Sequence, residues 1–314
     1  MFEYEDIYDD IKYNEQKEYT EDEVPIDIGM WVSYMPYNDE IQLQLQRENL
    51  LSLPISNHYG KIAFILSKNI NNYEKYLENI SKDIRIENTE TILDTEVYYT
   101  CKIEGAKTTK KRTFEIHNGS KIKDDNKFSE AMIKGNFEAV KLLNLYRNRI
   151  NSKILYKVWN ILTKDCRENL EIEGNFYRNG DVSVTNSDFI AVNVNEIEDK
   201  MNDLISFYSS DILNDKPFIK ACIIHYNFET IHPFCDGNGR MGRLLMNNYL
   251  ISQGIESCRA VSFSEQIDKT RGLYDGAFIN SENIYSDCTP FLEYMLQTMS
   301  NAYFTAYKTQ RREM

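Results

Sequence analysis

Residues 232–243 read HPFCDGNGRMGR: one histidine, one acid, three glycines, one asparagine and two arginines within twelve positions. An apolar segment precedes them (FIKACIIHYNFETI, 218–231) and another follows (LLMNNYLI, 244–251). Gly237, Asn238 and Gly239 all tolerate positive φ, so successive backbone N–H groups can turn inward as an anion-binding nest. Arg240 to Ile251 reads as a helix whose first turn adds its free N–H groups and the positive end of its dipole. Arg240 and Arg243, three apart, project from one face of that helix and offer two guanidinium forks. One phosphate does not need so many donors; a polyphosphate does. Asp236 beside such a nest would be repelled by phosphates unless a cation lay between them, and Mg²⁺ binds through one or two carboxylates plus substrate phosphates. His232 is the nearby side chain able to take a proton near neutral pH. The constellation predicts a base that activates a hydroxyl against a metal-bound nucleotide, which is phosphoryl or nucleotidyl transfer.

The same residues resemble the Fic-domain signature, H-P-F-x-D-G-N-G-R-x-x-R, at every defined position. The resemblance implies a mainly α-helical bundle with one β-hairpin flap, and transfer of AMP from ATP, with Mg²⁺, to a protein hydroxyl. It makes His232 the general base, Phe234 a buried anchor, Asp236 the Mg²⁺ ligand, and Gly237, Asn238 and Gly239 phosphate contacts. Arg240 and Arg243 would hold the β- and γ-phosphates. The Gly-Asn-Gly-Arg order resembles the AMP-transferring branch rather than the phosphotransferring Doc-like branch.

Upstream, TETILDTEVYYTCKIEG (89–105) reads as a helix with Thr or Asp caps and a terminal glycine. Thr100 and Glu104, four apart, share a face. Together with Gly105 they resemble the inhibitory motif [S/T]-x-x-x-E-[G/N] of class II-like Fic proteins. That resemblance implies that Glu104 pairs with Arg243, and an arginine held bidentately by a carboxylate cannot also hold a γ-phosphate. The expectation is an enzyme that is off by default. Two other readings stay open: removal of AMP from a modified protein by the same site, with Glu104 aligning a water, and a nucleotide-binding regulatory module without transferase activity.

Length and composition set the frame. The 314 residues suffice for one large domain and a smaller one. No stretch approaches the roughly 18 apolar residues of a membrane helix. The balance of 36 basic against 49 acidic residues gives −13, which opposes binding to nucleic acid and to anionic membranes. The acidic start MFEYEDIYDD lacks the basic and apolar regions of a signal peptide, so a cytoplasmic protein is expected. Six cysteines without a CxxC pair indicate neither a structural metal nor a disulfide framework.

The remaining chain divides into an N-terminal accessory region (1–85), the Fic domain (86–305) and a C-terminal tail (306–314). Residues 1–25 read as an irregular arm. WVSYMPY (31–37) reads as a strand, 41–53 as a strand or short helix, and KIAFILSK (61–68) as a buried segment. The basic run AKTTKKRTFE after Gly105 reads as a connection. Helices are predicted over 128–149, over 154–169 with Trp159 on an apolar scaffold face, over 194–210 capped by Asn193 or Asn195, and over 289–307. GNFYRNGDVSV (174–184) reads as a hairpin turning at Asn179-Gly180. It resembles the Fic flap, which would hold a target segment by β-augmentation, with Tyr177 and Arg178 at its start and Val184, Thr185, Asn186 and Ser187 nearest the nucleotide. His225 reads as a core histidine. Tyr274 stands where the family carries paired tyrosines, and is a candidate adenine contact or a core tyrosine. The implied partner is a protein with a hydroxyl side chain, this chain itself included; homo-oligomerisation is left open.

Overall fold

The segment ahead of the motif is apolar on every side, so it can only be a central helix. In the computed structural model, Pro217–Ile231 has 13 of its 15 residues buried. The structure describes residues 50–57, 60–65, 68–147, 149–166, 176–180, 182, 191–283 and 288–312. Among them are a two-stranded hairpin, β1 (Leu50–Asn57) and β2 (Gly60–Ile65), and eleven α-helices. The helices are α1 (Lys68–Asp83), α2 (Thr89–Ile103), α3 (Lys110–His117), α4 (Lys127–Tyr146), α5 (Ser152–Leu162) and α6 (Ile197–Ser209), then α7 (Pro217–Ile231), α8 (Asn238–Ser252), α9 (Phe263–Lys269), α10 (Arg271–Asn283) and α11 (Thr289–Arg312).

The mainly α class is as expected, and the N-terminal part is mixed. β1 and β2 pair antiparallel from Leu50 opposite Ile65 to Asn57 opposite Gly60. The register breaks between Ser52 and Ser56, where Pro54 has no N–H to give to a ladder. The arm at 1–25 and the strand at 31–37 lie outside the described residues. So do much of the expected 174–184 hairpin and Val184, Thr185, Asn186 and Ser187; its described residues, 176–180 and 182, hold one isolated β-bridge at Arg178 among bends.

Three expectations change. The basic run after Gly105 is not a plain connection, because α3 forms there: Thr109 Oγ1 caps it by accepting from Arg112 N (3.1 Å). Arg112 then grips Glu130 on α4 through Nε (2.8 Å) and Nη2 (2.7 Å). The tail at 306–314 is helical as far as Arg312, since Gln310 exchanges hydrogen bonds with the Arg85 backbone at 3.0 and 2.8 Å. The boundary at residue 85 also cuts through shared packing, for Ile70, Leu77 and Ile80 of α1 sit in one core with α7 and α11.

That main core gathers α1 and α4 to α11. A second, smaller core joins Val97 and Cys101 of α2 to Ile116 of α3 and to Ile133 and Phe137 of α4. The helix carrying Glu104 thus packs on α3 and α4 through the smaller core, and its Ile103 packs against the main one.

Helix α7 has no side-chain cap of its own. Glu74 of α1 supplies one, accepting from Phe218 N (3.0 Å) and Ile219 N (2.8 Å). Burial pushes the Glu74 carboxyl up to about 7, although the two amides oppose the shift. A raised carboxyl binds its proton more tightly in the folded than in the unfolded chain. Its contribution is therefore complete below the ordinary value of 4.5 and is lost as pH rises through 7. Over that window the difference is about 3 kcal/mol. Chemical denaturation across pH 5 to 8 should show wild-type stability falling more steeply with pH than that of Glu74→Gln.

Candidate functional site

The loop between α7 and α8 owes its shape to four anchors. His232 ends α7 in a left-handed conformation (φ 51°, ψ 58°), donating its N–H to Phe228 O at 3.0 Å. For a non-glycine residue this costs about 1–2 kcal/mol. Arg178 holds the turn from outside: its N–H donates to Pro233 O (2.9 Å) and its Nε to His232 O (2.8 Å). Phe234, 1% exposed, stacks on Trp159 of α5 with ring centres 4.6 Å apart. The Trp159 indole N–H donates to Asp236 O at 2.7 Å.

Gly237 (φ 79°) turns the chain into α8 with no side-chain cap. The first N–H groups of α8 have no intrahelical acceptor and face the loop. Arg240 and Arg243 follow, each 1% exposed. Arg240 Nη1 donates to Leu162 O (3.2 Å), while its Nε and Nη2 have no hydrogen-bond partner. Asp236 Oδ2 lies 3.9 Å from Nη2, beyond hydrogen-bond reach. A buried guanidinium with two unanswered donors beside an open helix N-terminus fits an anionic, phosphate-bearing group.

Arg243 is answered from α2. Its Nε donates to Thr100 Oγ1 (2.8 Å), and its Nη2 to Glu104 Oε1 (2.6 Å) and Thr100 O (3.2 Å). The expected bidentate pairing is thus corrected: Thr100 takes one arm of the fork and Glu104 meets the other through one oxygen. The Glu104 carboxylate also presses on the nest, since a Cβ added at Gly239 would lie 3.0 Å from Glu104 Cδ and closer still to Oε1. Burial alone would raise the Glu104 carboxyl, but Arg243 and then Arg240 hold it below the usual carboxylate value. It is an anion lying on an anion cradle.

Helix α2 reaches this position through polar docking. Glu96 accepts from Ser262 Oγ (2.7 Å) and Ser264 N (3.0 Å) at the start of α9, and Lys102 pairs with Asp268 at 2.6 Å. Asn88 begins the helix through its backbone, without the expected Thr or Asp side-chain cap; Glu104 is the C-cap, and Gly105 (φ 84°) closes the end.

The Fic/DOC family profile matches residues 149–250. Those residues match a Fic domain. A probable protein adenylyltransferase of Aquifex aeolicus is 37% identical over 82 residues, 24% of this chain and 26% of that protein. The protein adenylyltransferase Fic of Nematostella vectensis is 32% identical over 127 residues, 40% of this chain and 27% of that one. The chain thus spans about a quarter of the length of these curated relatives. A Fic family protein from Desulfovibrio desulfuricans G20 superposes with a TM-score of 0.69 at 21% identity, covering 79% of this chain and 76% of that one. A segment of Fic-1 from C. elegans does so with 0.65 at 18% identity, covering 90% and 81%. These structural likenesses establish a shared fold.

The sequence-selected residues distribute unevenly. Asn238, expected to touch phosphate, spends its side chain on the loop itself, accepting from Phe234 N (3.0 Å) and donating to Phe234 O (2.8 Å). It leaves only its backbone N–H for an anion. Tyr274 is 4% exposed with its hydroxyl 2.8 Å from His225 Nε2, which makes it a core tyrosine beside a core histidine. Asp236 is one-third exposed, and among the described residues no group of three His, Cys, Asp or Glu side chains could hold a metal alone. Trp159 and Arg178, expected as scaffold and hairpin start, both brace the motif. The signal was there in outline, because a buried indole N–H and a buried guanidinium each demand an acceptor.

Replacing Trp159 by Phe keeps an aromatic ring on Phe234 and removes the donor to Asp236 O. The expected loss is about 1 kcal/mol of stability, against about 3–5 kcal/mol for Trp159→Ala, read from paired denaturation midpoints.

Proposed function

We propose that this chain is an autoinhibited protein adenylyltransferase, moving AMP from ATP to a Ser, Thr or Tyr hydroxyl of a protein. The observation that carries the reading is the Glu104 carboxylate seated on Arg243 and against Gly239, inside an otherwise complete Fic motif. The relatives named protein adenylyltransferase support the class of reaction.

In this reading the N–H groups of Gly237 to Arg240, with the open donors of Arg240, bind the nucleotide phosphates. Asp236 would hold Mg²⁺ together with those phosphates, a metal that neutralises charge on the leaving group. The target hydroxyl oxygen bonds to the α-phosphorus, the bond to the β-phosphate oxygen breaks, and pyrophosphate leaves with that electron pair. The hydroxyl proton passes to His232. Burial, reinforced by the Arg178 charge, lowers the His232 imidazole to about 4, so it is neutral and able to accept at pH 7. While Glu104 occupies Arg243, that fork is unavailable to the outer phosphates. Removal of AMP by the same site is the alternative chemistry; Glu104 is close enough to His232 to oppose the depression of its pKa. Turnover of an AMP-modified protein that disappears in Glu104→Gly would favour it.

Incubation with α-labelled ATP and Mg²⁺ tests the main reading. Glu104→Gly should raise labelling on the order of 10²-fold, and adding His232→Ala should return it to background. No gain in Glu104→Gly, on itself or on added protein targets, would sink the proposal.

The pH profile gives a second check. A histidine with a lowered pKa stays neutral until pH falls to that value, so labelling by Glu104→Gly at subsaturating ATP should persist below 6.5 and be lost as pH approaches about 4. An acid limb centred at 6.5 would contradict the assignment of His232 in this environment.

A further inference from the structure

Between Ala106 and Lys127 the chain holds seven basic residues against three acids, in a protein whose net charge is −13. Arg112 spends its guanidinium on Glu130 and Glu115, and Lys110 lies 3.8 Å from Glu265 of α9. Lys107, Lys111, Lys121, Lys123 and Lys127 are exposed, and among the described residues none of them pairs with an acid. Contacts to the backbone gather these positions: Asn126 Nδ2 donates to Lys107 O (2.6 Å), Arg112 Nη2 to Lys121 O (2.6 Å), and Lys123 N to Glu130 Oε2 (2.8 Å). Residues 118–127 thus run back along α3, and like charges that repel one another are held on one surface. Two rings stand on the same elements with much of their area in water, Phe114 of α3 (56% exposed) and Phe128 at the start of α4 (42%). Such a surface fits an acidic segment that carries apolar and aromatic side chains.

Residues 1–25 have that chemistry. They carry ten acids against Lys12 and Lys17, interleaved with Phe2, Ile7, Ile11 and four tyrosines, and account for more than half of the net −13. Residues 26–49 join them to β1. That connection can span up to about 80 Å, well beyond the radius of gyration of roughly 20 Å expected for a compact chain of this length. A tethered segment meets the surface at an effective concentration on the order of mM. It therefore outcompetes an acidic segment of equal intrinsic affinity on a free partner at lower concentration.

We propose that the lysine face of α3 and its return segment is the docking surface of this chain's own acidic arm, residues 1–25, with Phe114 and Phe128 taking its apolar side chains. Because α3 and α4 share the smaller core with α2, the docked arm covers the outside of the elements on which the Glu104 helix packs. The surface does not depend on the adenylyltransferase reading. Attraction between exposed charges is screened by salt, so docking weakens as ionic strength rises.

Zero-length carbodiimide cross-linking of the full chain, read by mass spectrometry on an equal mixture of isotope-light and isotope-heavy chains, tests the proposal. Glu3, Glu5, Asp6, Asp9 and Asp10 should cross-link to Lys111, Lys121, Lys123 and Lys127 in preference to the exposed Lys153 and Lys157 of α5, and within chains of one isotope. Lys111→Glu combined with Lys123→Glu should lower the cross-links to Lys121 and Lys127 about tenfold, since two attractions become repulsions. Both lysines are exposed, so the fold should survive the change. Cross-links of mixed isotope would assign the face to a second copy and overturn the proposal, as would an absence of arm cross-links or an even spread onto α5. Hydrogen exchange adds a readout without a cross-linker. Replacing those five acids by Gln or Asn should speed exchange over residues 107–128, and unchanged exchange would refute docking.

Discussion

Two guanidinium groups without free access to water are the constraint around which this protein is built. Arg240 and Arg243 are each 1% exposed, and a buried charge is tolerated only where opposite charge and hydrogen bonds answer it. Arg243 finds both on α2, in Glu104 and Thr100. Arg240 has a carbonyl and a thiol for one nitrogen and no hydrogen bond for two others, with Asp236 3.9 Å from Nη2. The asymmetry divides the site into a half satisfied by the protein and a half that awaits an anion.

The loop that aims these groups is rigid for reasons that lie outside it. Trp159 of α5 and Arg178 tie its backbone carbonyls, and the Asn238 amide closes it on Phe234. The left-handed His232 is affordable because Arg178 fixes its carbonyl and α7, capped by Glu74 of α1, fixes its amide. Helix α2 is held differently. Val97, Cys101 and Leu93 lie in the smaller core with α3 and α4, Ile103 packs against the main core, and polar ties to the scaffold are added by Glu96 to α9, Lys102 to Asp268, and Thr100 with Glu104 to Arg243. Polar ties exchange for water at little net cost, whereas a buried apolar face does not.

Much of the fold was legible because its signals are local. The all-round apolar run 218–231 had to be a buried helix, Pro217 marked its first turn, and the glycine-rich loop before an amphipathic stretch marked an open helix N-terminus. The polar run 106–115 misled, because α3 depends on the Arg112–Glu130 contact across 18 positions that no local pattern contains. Of the two readings of Tyr274 its contact with His225 fits the core tyrosine, and the side chain of Asn238 is given to Phe234 within the loop.

The sequence by itself determined the central helix, the glycine turn at Gly237 into an open helix N-terminus (Asn238 and Gly239, expected to share its positive φ, are already helical), the order of His232, Asp236, Arg240 and Arg243, and the four-residue spacing that puts Thr100 and Glu104 on one helical face. Backbone permissiveness and helical period settle such features within a few residues. Only the tertiary structure decided how Arg243 is shared between Thr100 and Glu104, that Trp159 and Arg178 brace the loop, and that Arg240 is left with open donors. Each of these depends on groups more than 50 residues apart in the chain, and which buried donor meets which acceptor is fixed only when the helices pack.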